Sequence, residues 1–261
     1  MNPPRPPTVA TNDTVTTDHS AILYPDSDGQ PMADNTLQFE WITLLKENLS
    51  WIFAQDPQVF VAGDLLWYPV EGNAKIRQAP DTLVAFGRSK GYRGSYQQWK
   101  EGNLAPQVVF EVLSPGNRRA EMSRKLLFYN TYGVEEYYLY DPDRNILEGW
   151  IRQEGILEWL EDLQDWVSPR LGVRFDPTAT PLALYRPDGQ RFLSYEALAE
   201  EAKGVAERAT EADRRATQAD RRAAEADRRA AEANQQAAAA QQRADRLAAK
   251  LRELGLDPEI L

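Results

Sequence analysis

The polar and apolar positions of this chain divide it into stretches with different periods. Residues 35–53, NTLQFEWITLLKENLSWIF, place Leu37, Trp41, Leu44, Leu45, Leu49 and Ile52 near helical spacing, which predicts an amphipathic helix packed on a sheet. Three runs of strand character follow, QVFVAGDLLWYP, DTLVAFG and PQVVFEVLS, bounded by proline, glycine and asparagine. The third is apolar on both faces, as expected of a strand buried in the middle of a sheet. NRRAEMSRKLLFYNTYG then returns to helical spacing, with Met122, Leu126 and Tyr129 on one stripe and Gly133 as its stop. VEEYYLYDPDRN and ILEGWIRQEGILEWL resume strand character, with turns at Asp141 to Asn145 and at Glu154-Gly155, and LYRPDGQRFLS reads as a hairpin around Asp188-Gly189. This order predicts an α/β domain over residues 21–193, a central mixed sheet flanked by helices.

From about Leu198 the period becomes seven. Leu198, Val205, Ala212, Ala219, Ala226, Ala233, Ala240, Leu247 and Leu254 form one series, and residues 202, 209, 216, 223, 230, 237, 244 and 251 form a second, four residues after each. That alternation is a heptad seam, almost wholly alanine. Alanine secures the helix but buries little area per layer. Glu211 with Arg215 and Glu225 with Arg229 add favourable pairs one turn apart. Residues 194–261 are therefore expected to form a coiled-coil tail that makes a homo-oligomer or takes a helical protein partner through residues 198–254. A solitary solvated helix is the alternative.

Composition narrows the chemistry. Cysteine is absent, which excludes disulfide scaffolds, thiolate metal sites and cysteine nucleophiles. The single histidine, His19, lies in the polar segment MNPPRPPTVATNDTVTTDHS, which argues against a histidine-built metal centre or a serine-histidine-aspartate triad. That segment, residues 1–20, reads as a disordered leader, and with no long apolar run anywhere the expectation is a cytoplasmic protein with no membrane association. The net charge is −10, and residues 1–195 hold 18 basic against 26 acidic side chains. Such a surface does not suit a general nucleic-acid coat.

What is left is carboxylate chemistry. Glu111 is set into the apolar run QVVFEVLSPGN, where a buried charge requires a partner. Asp81 follows Pro80 at the head of a predicted strand, so the two acids can sit on neighbouring strands. Two convergent carboxylates suit a hard divalent cation such as Mg2+ or Mn2+. Such an ion can stand beside a scissile phosphate and supply an activated water. Lys125 leans from the packed side of the following helix, where it can meet Glu111 and steady developing charge. Asp64 is another acid at a strand head and reads equally as a turn or cap residue. Glu40 and Glu47 on the first helix read as solvent-facing; the alternative is that one of them adds a ligand. Asp81 alone reads as a turn cap, and Glu111 with Lys125 also reads as a structural ion pair that binds no metal.

Pro80-Asp81, Glu111 in FEVLSP, and Glu121 and Lys125 in EMSRKLLFYNTYGVEEYYLYDP together resemble the PD-(D/E)XK, restriction-endonuclease-like nuclease superfamily, and most closely its Uma-two branch of endonucleases. The resemblance covers residues 20–193 and is most specific from Val109 to Pro142. It implies a restriction-endonuclease-like core, a magnesium-type ion on Asp81 and Glu111, and hydrolysis of DNA phosphodiester bonds. The wider superfamily carries its lysine two residues after the acid; Leu113 stands there, so the role passes to Lys125. Glu121 and Tyr138 stand where the branch often has aspartate and tryptophan.

Two further groups are candidate DNA contacts. Arg88, Lys90 and Arg93, with Tyr92, Tyr96 and Trp99 among them, can track a phosphate backbone and stack bases, or can be a loop packed on the domain. Arg118 and Arg119 open the second helix beside the acids. Outside the endonuclease reading stand a catalytically inactive nuclease-like adaptor carried by the tail, and a carboxylate-pair glycosidase, which the order of segments disfavours.

Overall fold

The computed structural model describes residues 22–117 and 119–253; the leader of residues 1–20 with His19, Arg118, and Leu254 of the heptad series lie outside the described residues. The chain forms two compact units, one ending at Leu198 and one beginning at Ala199.

The first unit is built on a six-stranded sheet. Helix α1 (Thr36–Ile52) comes first, then β1 (Val59–Gly63), β2 (Trp67–Tyr68), β3 (Thr82–Phe86), β4 (Tyr96–Gln97), a short 3-10 helix (Gln98–Glu101) and β5 (Val108–Val112). Helix α2 (Arg119–Tyr132) leads to β6 (Glu136–Asp141), β7 (Ile146–Gln153), β8 (Ile156–Trp159), β9 (Arg174–Asp176) and β10 (Ala183–Tyr185). The order across the main sheet is β1-β3-β5-β6-β7-β8. Only β5 and β6 are parallel within it. That pair requires the crossover that α2 supplies, because parallel strands cannot be joined by a tight turn.

A helix covers each face. Trp41, Ile42, Leu45 and Leu49 of α1 join Val84, Phe110, Val112, Tyr138 and Tyr140 in one core. Tyr129, with Met122 and Leu126 of α2 packed alongside, joins Leu83, Val109, Tyr137 and Leu139 in the other. Alternation along β5 decides the sides: Phe110 and Val112 face α1, and Val109 and Glu111 face α2. The expected mixed sheet between helices is the observed architecture.

The first predicted strand is interrupted. Asp64 has φ 47, a left-handed conformation that ends extended pairing. Trp67 and Tyr68 then pair with Tyr96 and Gln97 in a separate ribbon. The predicted hairpin around Asp188-Gly189 is present as a turn closed by the Tyr185 and Arg191 bridge, while β10 itself pairs with β9.

In the second unit the chain is one helix. Helix α3 runs Tyr195–Glu253 over 59 residues, a rise of about 90 Å at the usual 1.5 Å per residue. Val205 and Leu247 of the seam are 44% and 63% exposed. No helix among the described residues is long and apolar enough to cross a membrane.

Candidate active site

The register of β3 and β5 brings the two acids together. Thr82 lies opposite Phe110, so one step further along this antiparallel pair Asp81 stands across from Glu111. The contact is direct: the backbone N–H of Val112 donates to Asp81 Oδ2 at 2.6 Å. Both side chains are buried, Asp81 at 8% and Glu111 at 2% exposure. Burial first, and then the charge of Glu111, push the Asp81 carboxyl well above the usual carboxylate range. Two carboxylates side by side cannot both ionise cheaply.

Helix α2 supplies the partners of Glu111. Lys125 Nζ donates to Glu111 Oε2 at 2.8 Å, and the Tyr129 hydroxyl donates to Oε1. The four-residue spacing puts both donors on one helical face. Burial alone would lower the Lys125 pKa, but Glu111 and Asp81 outweigh it and hold the ammonium above its ordinary 10.5. Tyr129 is pushed well above 10 by burial and by Glu111, so it stays protonated and serves as a hydrogen-bond donor.

Two more groups complete the surroundings. Burial, with Glu111 and Asp81 adding to it, raises the Tyr137 phenol, and its hydroxyl is buried without a hydrogen-bond partner. Asp64 donates its backbone N–H to Asp81 O at 3.3 Å. Its carboxyl is raised by burial and Asp28, lowered by Lys125 and raised again by Glu111. The spacing of Tyr129 and Tyr137 marks them as packing and strand residues, and the only signal of a polar role is their hydroxyls.

A groove of about 800 Å3 on the α2 face is lined by Leu113, Ser114, Arg119, Tyr137, Glu148 and Trp150 among others; Asp81, Glu111 and Lys125 do not line it. Ser114, in the strand-to-helix turn, donates to Asp34 at 2.5 Å and its N–H is accepted by Asn117 at 2.7 Å. It is a structural turn residue.

The remaining predicted positions separate. Arg119 opens α2 and lines the groove. Arg88 and Lys90 follow the far end of β3 and bond back to Gln58 and Pro57 at the start of β1, about 20 Å along the strand direction from Asp81. Lys90 Nζ is held by the carbonyls of Phe53 and Ala54. Arg93 pairs with Glu101 at 2.6 Å and lies over the Phe60 ring. Glu40 is exposed and Glu47 pairs with Lys46; both belong to α1, which packs on the face opposite Glu111.

The donor set fits a hard cation in one way. Among the described residues no group of three or more acidic or histidine side chains converges as a cage. Two convergent carboxyl groups match the sparse protein coordination of magnesium, which keeps waters and takes further oxygens from a phosphate.

No curated protein matches the chain. Among solved structures, a protein from Anabaena variabilis ATCC 29413 described as "a putative nuclease belonging to DUF820" is 15% identical with a TM-score of 0.40, over 54% of this chain and 74% of that one. A family model, Uma2, described as "Putative restriction endonuclease", matches residues 29–180. That span is more than half of the chain and contains Asp81, Glu111, Lys125 and the whole β5-α2-β6 crossover. The chain belongs to the Uma2 family.

Proposed function

We propose that this protein is a divalent-metal-dependent endonuclease that hydrolyses DNA phosphodiester bonds. The observation that carries the proposal is the pairing of Asp81 and Glu111 across β3 and β5, with Lys125 bonded to Glu111. The two carboxylates are the ligands for Mg2+ or Mn2+. When bound, that ion supplies a water of lowered pKa and polarises the phosphate.

The residues of the chain do the rest. Val112 N–H fixes one oxygen of Asp81, leaving the other for the ion. Tyr129 fixes Oε1 of Glu111 and so sets the orientation of the carboxylate. Lys125, a cation on the exposed side of the pair, meets the charge that develops on phosphate oxygen. Arg119 at the groove is positioned for a backbone phosphate of DNA.

One observation favours a second reading. Both oxygens of Glu111 already have donors, as in a structural ion pair within an inactive nuclease-like adaptor. Calorimetric titration of manganese into the full chain, Asp81→Ala and Glu111→Ala, with supercoiled DNA cleavage on the same samples, separates the two. Saturable binding and cleavage that both vanish in the variants are expected. Cleavage retained by both variants defeats the endonuclease reading, and no binding by the wild type favours the adaptor.

A further inference from the structure

Helix α3 carries a charge pattern that selects its partner. With the series of Leu198, Val205 and Ala212 at heptad position d and that of Ala202, Ala209 and Ala216 at a, the flanking e positions hold Asp213, Asp220 and Asp227. The flanking g positions hold Arg208, Arg215, Arg222 and Arg229. One edge of the seam is therefore acidic and the other basic over three heptads. The flanks of such a seam set the orientation of paired helices.

We propose that residues 205–253 pair with a second copy of this chain as a parallel, in-register two-stranded coil. In a parallel pair each g residue faces the e residue five positions later on the other helix. Arg208 then meets Asp213 of the second copy, Arg215 meets Asp220, and Arg222 meets Asp227, each twice by symmetry. In an antiparallel pair g faces g and e faces e, which sets arginine against arginine and aspartate against aspartate. The pattern is self-complementary in one orientation only, and a copy of the same chain supplies the complement.

The state of the single chain agrees with this. Asp213, Asp220 and Asp227 form no ion pair among the described residues, whereas Arg215 and Arg229 reach back to Glu211 and Glu225. An arginine has five donors in a fork, so these contacts leave capacity for a second carboxylate. Leu198 is buried and Ala202 half-buried, whereas from Val205 to Leu247 the seam is exposed. Alanine at nearly every layer allows close approach but gives little area, so the flanking charges decide the pairing.

The test uses the full chain in sedimentation equilibrium over a concentration series. A monomer-dimer equilibrium is expected, weakened about tenfold or more between low and high salt. The triple variants Asp213→Arg, Asp220→Arg, Asp227→Arg and Arg208→Asp, Arg215→Asp, Arg222→Asp are each expected to lose self-association by at least about tenfold. Mixing the two restores it, which a misfolded helix would not do. The chain has no cysteine, so single substitutions report orientation cleanly. Ala212→Cys alone, oxidised, is expected to give a covalent dimer, and so is Ala237→Cys alone. Cross-linking only when the two are mixed shows an antiparallel pair and overturns the proposal. A monomer at every concentration, or association indifferent to the charge variants, overturns it equally.

Discussion

Tyr129 does for Glu111 what a single charge partner cannot. Lys125 neutralises the carboxylate, but an ammonium on a four-carbon stem turns freely; the Tyr129 ring is locked between Trp67 and Tyr137, so its hydroxyl fixes where the carboxylate points. Tyr129→Phe is expected to lower manganese affinity about tenfold or more, in the manner of groups that orient a metal ligand. An unchanged titration with a folded variant would reduce Tyr129 to packing. A third buried acid, Glu136, lies on the opposite face and accepts from Tyr138, Ser168 and the N–H of Arg170. Burial raises its pKa above the ordinary 4.5 despite those donors. The folded chain then binds more protons than the unfolded chain between 4.5 and the raised value, so this group makes stability fall as pH rises through that window. The stability of wild type minus that of Glu136→Gln, from urea unfolding at stepped pH, is expected to decline across the window and then level. A difference that grew with pH would contradict the assignment.

Among the elements, α1 shows how polar residues anchor a helix that looks held by apolar ones. Asn35 caps its first turn by accepting from Gln38 N–H at 2.8 Å. Gln38 reaches across to Val112 O at 2.8 Å, next to Glu111. Asn48 bonds both the carbonyl and the N–H of Leu193. Asn48→Leu leaves both Leu193 groups buried without partners and is expected to cost about 2–3 kcal/mol in urea unfolding. Manganese binding by the folded fraction should be unchanged. Here the sequence was legible in part. The spacing of Trp41, Leu45 and Leu49 located α1, but a count of apolar positions assigns Gln38 and Asn48 to solvent, and both are buried. The strand run through Asp64 was misread for a related reason, since period alone does not register a left-handed residue. Asp81, Glu111 and Lys125 were legible because a strand that is otherwise apolar makes a carboxylate conspicuous. Tyr129 and Tyr137 were not, because tyrosine reads as core until its hydroxyl has an address.

For the whole molecule, charge is the governing quantity. The described basic groups that were candidates for a DNA track are largely engaged by the protein itself: Lys90 by two carbonyls and Arg93 by Glu101. An acidic chain whose described candidate cations at Lys90 and Arg93 are already engaged gains little from counterion release. In the presence of a chelator, the plot of log DNA affinity against log salt is expected to have a slope no steeper than about −3. A slope near −6 would require a cationic track larger than Arg119 and its neighbours provide. The heptad period of the tail is a property of the sequence alone; the continuity of the helix from Tyr195 to Glu253 is what assigns its flanking charges to two separate edges.

The β5-α2-β6 crossover has a consequence for how the site comes into being. Glu111 and Tyr129 are 18 residues apart in the chain, and Lys125 lies between them. Their cluster closes a short loop, at small entropic cost. Asp81 joins through the β3 and β5 pairing, across 31 residues to its contact at Val112. During refolding the ion pair is therefore expected to assemble within one local unit before the second carboxylate arrives. The capacity to take a divalent ion would then appear last, as a report on completed long-range order.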